Sequence, residues 1–497
     1  MTPVLDRFQS LHAVDFAAIA AYFAVVIWVG FYYGRRQKST EDYFLAGRRL
    51  PWFSVGVSIV ATVLSTVTYL STPGEMIRNG VGANAQFLSY PLVFFLVSYL
   101  ILPYLMRLRL TTAYEYLERR FDLATRLFGA SLFVLIRTAW MGMVLFTASL
   151  ALSKICGLSF TAVVLGLVAI GVFYTVLGGL RAVIWTDVVQ FFILLGGAIF
   201  TVIYVAVDSG TGPATWWNDM MAADTPSQPV FSFDPTVRLS LVGMGCWTLF
   251  WWLATASSDQ VAVQRFLATE SLQASRRAFL CNLAGGVVLT LILSLCGIAL
   301  YSYYQAAIPD DPDLVFPHFI RHILPRGLAG LVVAALFSAA MSSLDSGMNS
   351  ISSVVVTDFY RRFRSAVPTP RQELFLARVV TAAVGGLAMA LCLLLYRIPE
   401  EQRGNLFDIQ GRVTSFLVGS LGGLMLIAML GIRCSARVAM GSALCGILVG
   451  FLWAQGHWLF GLPELAWMWV IPVSTTVTVG AAVGAVAVLG PAPSKRS

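Results

Sequence analysis

The chain alternates long apolar runs with short polar breaks. Runs long enough to cross a bilayer as a helix, about 20 residues each, fall at 14–34, 51–72, 84–106, 123–153, 158–177, 183–207, 237–257, 277–304, 326–359, 372–396, 405–430, 436–455 and 467–490. Such a pattern predicts an all-α polytopic membrane protein of thirteen transmembrane helices with its termini on opposite sides. The fourth and ninth runs are longer than a bilayer is thick, so they tilt or project beyond it. Two long connections, 208–236 with Trp216 and Trp217 and 305–325 with the acidic turn from Pro309 to Asp313, read as outer surface loops.

Composition sharpens that picture. Of 497 residues, 58% are apolar and only 12% charged, half the roughly 25% of soluble domains. A mean hydropathy of +0.78 leaves no surface to cover a soluble core. The net charge of +8 is spread in short Lys and Arg clusters between apolar runs, so no basic domain exists and no nucleic-acid partner is expected. With the N-terminus outside, inner segments carry twenty-two Lys and Arg against eight outside. The positive-inside rule then places the N-terminus outside and the C-terminus in the cytoplasm of a cell-membrane protein. Arg35, Arg36 and Lys38 follow the first run where a leader would have a cleavage site, so that run is retained.

Several function classes drop out. The seven cysteines are scattered without a C-x-x-C pair, which argues against a disulfide framework and a zinc site. No G-x-x-x-x-G-K-[ST] occurs, so an ATP-driven pump is not expected. No nucleophile–base constellation is visible, so the chain is expected to be neither an enzyme nor a cofactor carrier. His318 and His322 lie four apart but read as an exposed pair in an outer loop.

The polar residues inside the apolar runs carry the chemistry. The second run holds hydroxyls at 54, 58, 62, 65, 66, 68, 71 and 72, followed by Pro73 and Gly74. It predicts a helix interrupted near its middle, with freed carbonyls and hydroxyls that bind an ion and a solute. In the ninth run Ser338, Ser342, Asp345, Ser346, Asn349 and Ser353 share one helical face, a wall of oxygen suited to a hard cation. Asp187 and Asp345 are carboxylates inside spans, where an acid is a functional residue by default and can neutralise a cation or carry a proton. Arg137 is the one deeply placed base and can hold a solute carboxylate or neutralise an internal Asp. Trp247, Trp251 and Trp252 are dense enough to line a solute path, whereas Asp259 and Arg265 read as part of a basic inner loop, Asp259 in a structural role.

Four ordered motifs complete the reading: Asp42-Tyr-Phe-Leu-Ala-Gly-Arg-Arg-Leu-Pro51, Tyr114-Glu-Tyr-Leu-Glu-Arg-Arg-Phe121, Gly178-Gly-Leu-Arg-Ala-Val-Ile-Trp-Thr-Asp-Val-Val-Gln190 and Met341-Ser-Ser-Leu-Asp-Ser-Gly-Met-Asn-Ser350. Together they resemble the sodium:solute symporter family, which includes sodium/glucose, sodium/proline and sodium/sialic acid cotransporters. The resemblance implies the leucine-transporter fold in one transmembrane domain: a leading helix at 14–34, five-helix inverted repeats at 51–207 and 237–430, and two trailing helices at 436–490. It implies a sodium site at Ala61, Leu64, Ala339, Ser342 and Ser343, and a second sodium site or ion pathway at Asp187, Asp345 and Ser346, where Asp345 replaces the family's hydroxyl. Ser65, Thr68 and Gln86 match solute-contacting positions of sialic acid transporters. Arg137, Trp140 and Trp251 complete the expected substrate set, although the family's carboxylate-binding arginine aligns better with Trp140.

The expectation is a secondary active transporter, functional as a monomer in the lipid bilayer, that uses sodium as coupling ion to import a small polar solute. A sugar, a sugar acid such as sialic acid, or a monocarboxylate fits. The alternatives are a proton-coupled symporter, with Asp187 or Asp345 as carrier, and a transporter-like solute sensor.

Overall fold

A computed structural model describes residues 11–34, 39–108, 110–222, 231–237, 239–305, 312–364, 369–398 and 406–492, with the backbone alone at 83 and 406–413. The basic cluster at 35–38, the acidic turn at 309–311, Arg403 and the C-terminal Lys495 and Arg496 lie outside the described residues. Among the described residues regular structure is helical, apart from one bridge between Leu50 and Thr269.

The helices that frame the site are α1 (Ala13–Gly34), α2 (Trp52–Val63), α3 (Thr66–Asn79), α4 (Tyr114–Arg120), α5 (Leu123–Cys156), α6 (Phe160–Ser209), α7 (Leu241–Ser258) and α8 (Gln260–Leu267). They continue with α9 (Leu272–Tyr304), α10 (Leu328–Val354), α11 (Pro370–Tyr396), α12 (Leu406–Met429), α13 (Ala436–Phe460) and α14 (Val470–Leu489). Their ends follow local chemistry. Asp122, Ser159, Ser240 and Ser271 accept backbone N–H groups at the starts of α5, α6, α7 and α9. Left-handed glycines at 157, 210 and 461 close α5, α6 and α13.

Nine helices among the described residues are long and apolar enough to cross a membrane, and the bent pair α2–α3 makes a tenth crossing. The difference from thirteen lies in three places. The fifth and sixth runs are two helical halves of α6 that meet at the non-helical Gly179 and count together as one apolar helix, side chains of the eleventh run are described only from residue 414, and α7 has just 18 residues, hydroxyls among them. Helix α6 turns sharply at Gly179, where φ 54° and ψ −161° form a conformation open to glycine alone.

Helix α10 is the axis of the bundle. Every residue from Val332 to Val354 is buried, and α10 packs on α1, α5, α6 and α11. Burial on all sides explains why its apolar positions, such as Leu344 and Met348, coexist with a polar face: that face meets protein, never lipid. Its start is held by Asp15 of α1, whose Oδ1 accepts the N–H groups of Gly327 (2.7 Å) and Gly330 (2.8 Å). Gly330 has no room for a side chain, since a Cβ would stand 2.4 Å from the Asp15 backbone.

Two surface expectations are corrected. Trp216 is not in an exposed loop; it lies in the helix Pro213–Met221, 1% exposed and packed toward α9, while Trp217 is 44% exposed. His318 and His322 are half-buried on the helix Val315–His322, with His318 Nδ1 2.8 Å from the Tyr304 hydroxyl. Among the described residues no group of three His, Cys, Asp or Glu is arranged to hold a metal.

Replacing Gly179 by Ala forces a side chain into the positive-φ bend and is expected to destabilise the protein by about 1–3 kcal/mol. Thermal unfolding of the purified variant checks this; an unchanged melting temperature contradicts it.

Candidate functional site

The second run is interrupted where its hydroxyls are densest. Helix α2 ends at Val63, Leu64 (φ −82°, ψ 88°) and Ser65 (φ −75°, ψ 169°) are non-helical, and α3 departs at 65° to α2. The Pro73-Gly74 pair does not end the helix, because α3 runs on to Asn79. The last turn of α2 faces the polar side of α10. Ser342 Oγ donates to the Ala61 carbonyl (2.7 Å) and to Ala339 O (3.3 Å), and Ser343 Oγ donates to Thr62 O (3.2 Å). Ala61, Ala339, Ser342 and Ser343 thus meet at the helix break beside Leu64, whose ψ turns its carbonyl out of the helical ladder. Carbonyl and hydroxyl oxygens converging on one point are what a hard monovalent cation needs.

A second cluster lies one turn away and is fully buried. Asp187 Oδ2 accepts from Ser58 Oγ (2.5 Å), Thr62 Oγ1 (3.4 Å) and Arg265 Nη2 (2.9 Å). The same Arg265 donates to Thr62 Oγ1 (2.9 Å), Ser346 Oγ (2.5 Å) and, through Nε, to Ser58 Oγ (2.7 Å). Asp345 accepts from Tyr174 (2.5 Å) and Ser346 (3.2 Å). Asp187, Asp345 and Ser346 are therefore brought together, and Thr62 joins this cluster to the first through its backbone and hydroxyl. Arg265 corrects the inner-loop reading, for it is 0% exposed and forms a buried ion pair.

Beside both clusters is a cavity of about 260 Å³. Thr68, Gln86, Arg137, Trp140 and Trp251 line it, as does Leu64. Ser65 does not; it is buried at the break with its hydroxyl unpartnered. Tryptophans 247, 252 and 467 make much of the remaining wall. Arg137 Nη1 stands 3.6 Å from Asp259 Oδ2, its guanidinium lies 5.9 Å from the Trp140 ring, and its Nε has no partner. The Nε1 groups of Trp140 and Trp247 are likewise buried and unpartnered. Unmatched donors on a cavity wall favour a ligand rich in acceptors.

Asp259, read from sequence as structural, does three things. It interrupts the chain between α7 and α8 (φ −80°, ψ 110°), accepts the Val261 N–H at the start of α8 (2.9 Å), and meets Arg137 at the cavity. Sequence reasoning missed Arg265, Tyr174, Ser58 and Thr62 as partners of the acids. The available signal was the i, i+4 spacing of Ser58 and Thr62, the turn before the break.

Comparison with known proteins fits this geometry. The family described as the sodium:solute symporter family matches residues 43–450. A sodium/sialic acid symporter of Proteus mirabilis is 31% identical over 457 residues, covering 88% of each chain. The human sodium-coupled monocarboxylate transporter 1 is 30% identical over 453 residues, covering 88% of this chain and 72% of its own. A solved substrate-bound, outward-open sodium-coupled sialic acid symporter superposes with a TM-score of 0.86 at 27% identity, covering 97% of this chain and 99% of that one. A nucleobase-cation-symport-1 family transporter shares the fold, with a TM-score of 0.61 at 15% identity over 90% of this chain and 94% of that one. The broken α2–α3 helix, its oxygen-rich partner α10 and the matched length agree: this chain belongs to the sodium:solute symporter family.

Proposed function

We propose that the protein imports a small organic acid by alternating access, driven by sodium bound at Ala61, Leu64, Ala339, Ser342 and Ser343. The observation that carries this is the contact between the α2 break and α10 through Ser342 and Ser343. A cation there ties the interrupted helix to α10 and favours one arrangement of the cavity beside it, so ion and solute raise each other's affinity. Arg137, a cavity-lining residue whose Nε is buried without a partner, takes the acid group, and Thr68, Gln86, Trp140 and Trp251 shape the rest. Sialic acid and monocarboxylates, named for the two relatives, are the solute classes to test first.

The proposed frame is the leucine-transporter arrangement, with inverted repeats at 51–207 and 237–430 and the trailing helices outside the core. An N-terminus outside and a C-terminus in the cytoplasm of the cell membrane match the basic-residue asymmetry, and the protein is taken to work as a monomer. The second cluster is assigned to a second cation. Asp187 and Asp345 bring two carboxylates against one guanidinium, and Asp187 Oδ1 has no partner. A sodium ion or a proton neutralises the remaining charge, and the proton version is the second reading this cluster favours.

Replacing Ser342 or Ser343 by Ala removes one oxygen from the cation, a contact worth about 1.5–3 kcal/mol. Each variant is expected to need about tenfold more sodium for half-maximal uptake; sodium activation equal to the parent's contradicts the site. Arg137→Gln is expected to raise KM at least about tenfold for an acid solute, since losing one side of a charge contact costs about 2–5 kcal/mol. Uptake assays of an acid and its neutral amide compare the two, and equal shifts make Arg137 structural. Arg265→Gln leaves Asp187 unpaired, at a cost of about 3–5 kcal/mol. Its melting temperature is expected to fall further in choline than in sodium, and an equal fall in both salts contradicts a cation at this cluster.

A further inference from the structure

The cavity and the second cluster are joined by a series of polar contacts through Val261 of one short helix. Arg137 Nη1 meets Asp259 Oδ2 at 3.6 Å, and Asp259 Oδ1 accepts the N–H of Val261 at 2.9 Å. The carbonyl of the same Val261 accepts Arg265 Nη1 at 3.0 Å, and Arg265 Nη2 donates to Asp187 Oδ2 at 2.9 Å. Val261 thus donates its N–H to the cap of α8 and accepts from Arg265 at its carbonyl. Arg137, Asp259 and Arg265 all line the cavity, so both ends of the chain sense its contents.

The helix between them is anchored on all sides. All eight residues of α8 are buried. Gln260 donates to Thr111 O (2.8 Å) and accepts from Ala113 N (3.0 Å), and Gln264 donates to Phe44 O (2.6 Å) and to Asn349 Oδ1 of α10 (2.9 Å). The hydroxyl of Tyr114 holds Ser258 O, the residue before Asp259, at 2.7 Å. These neutral bonds fix the body of α8 and leave its two charges to respond to the cavity and the cluster.

We infer that α8 couples the solute cavity to the ion cluster, with Asp259 as the positioning residue that sets the strength of coupling. The inference rests on the reading that the cavity takes an acid solute and the cluster a cation. The sign follows from charge. A cation arriving beside Asp187 competes with the Arg265 guanidinium for that carboxylate, and the displaced positive charge turns toward the cavity that Arg265 lines. An acid group at Arg137 becomes more favourable there. The solute, by taking over Arg137, releases Asp259 from its ion pair and strengthens its hold on the α8 N-terminus. By linkage each ligand raises the affinity of the other by one common factor.

Two measurements on the full-length purified protein test this. The first is amide hydrogen exchange over residues 259–267 in choline and in sodium, without solute, alongside the melting temperature. Sodium is expected to change protection there as well as the melting temperature; a sodium shift in melting with 259–267 indifferent overturns the relay. No sodium shift in melting would remove the reading beneath it, and the relay with it. The second is the coupling factor, the ratio of sodium half-saturation without and with N-acetylneuraminate, or with lactate where that acid is the one that stabilises. Couplings of this kind run to about 5–150-fold, and Asp259→Asn is expected to lower the factor at least about fivefold while Asn still caps α8. A weaker solute affinity with an unchanged factor makes Asp259 structural and overturns the inference. Should Asp259→Asn fail to fold, the exchange experiment on the parent decides alone.

Discussion

A helix that breaks inside a bilayer leaves backbone groups without helical partners, and lipid offers none. The structure of this transporter is organised around that constraint. Helix α2 stops at Val63, and the hydroxyls of Ser342 and Ser343 on α10 reach the carbonyls of Ala61 and Thr62. Because α10 must present a polar face at this depth, it is enclosed by α1, α5, α6 and α11, and Asp15 pins its start. The apolar packing of the bundle therefore serves a polar contact at its centre.

The same enclosure makes charge scarce and decisive. A buried ion pair is weak evidence for stability, since desolvation offsets the attraction, so its presence calls for another reason. Asp187 and Arg265 form such a pair beside the helix break, and Asp345 adds a second carboxylate through Ser346. One unmatched negative charge in this setting is the reason a cation is proposed there. Its neighbour Arg265 is held by the short helix α8, whose other end meets Arg137 at the cavity. The proposed ion and solute positions are thereby linked through α8 without direct contact.

Much of this was legible in the sequence. Hydroxyl density around 58–68 announced the break, because a membrane helix seldom carries so many groups that compete for its own carbonyls. Helical spacing placed Ser342, Asp345 and Ser346 on one face, and burial of the whole helix confirms that this face meets protein. Arg265 was hidden for a physical reason. The segment from Asp259 to Arg265 is polar and short, the pattern of a loop, and only its tertiary partners Ser58, Thr62, Asp187 and Ser346 make it a buried helix. Trp216 was hidden similarly, since an amphipathic helix of nine residues on a bundle surface reads like an interfacial loop. The boundary read between the fifth and sixth runs falls at Gly179, where the backbone leaves the helical conformation.

The central claim is that sodium, bound where α2 breaks against α10, drives solute movement. Proteoliposomes of the purified protein, loaded without sodium and diluted into sodium or choline at equal pH with labelled N-acetylneuraminate or lactate, test it most directly. The account predicts accumulation above equilibrium only under the inward sodium gradient and unaffected by a protonophore. Accumulation driven by a pH gradient in sodium-free buffer would contradict it.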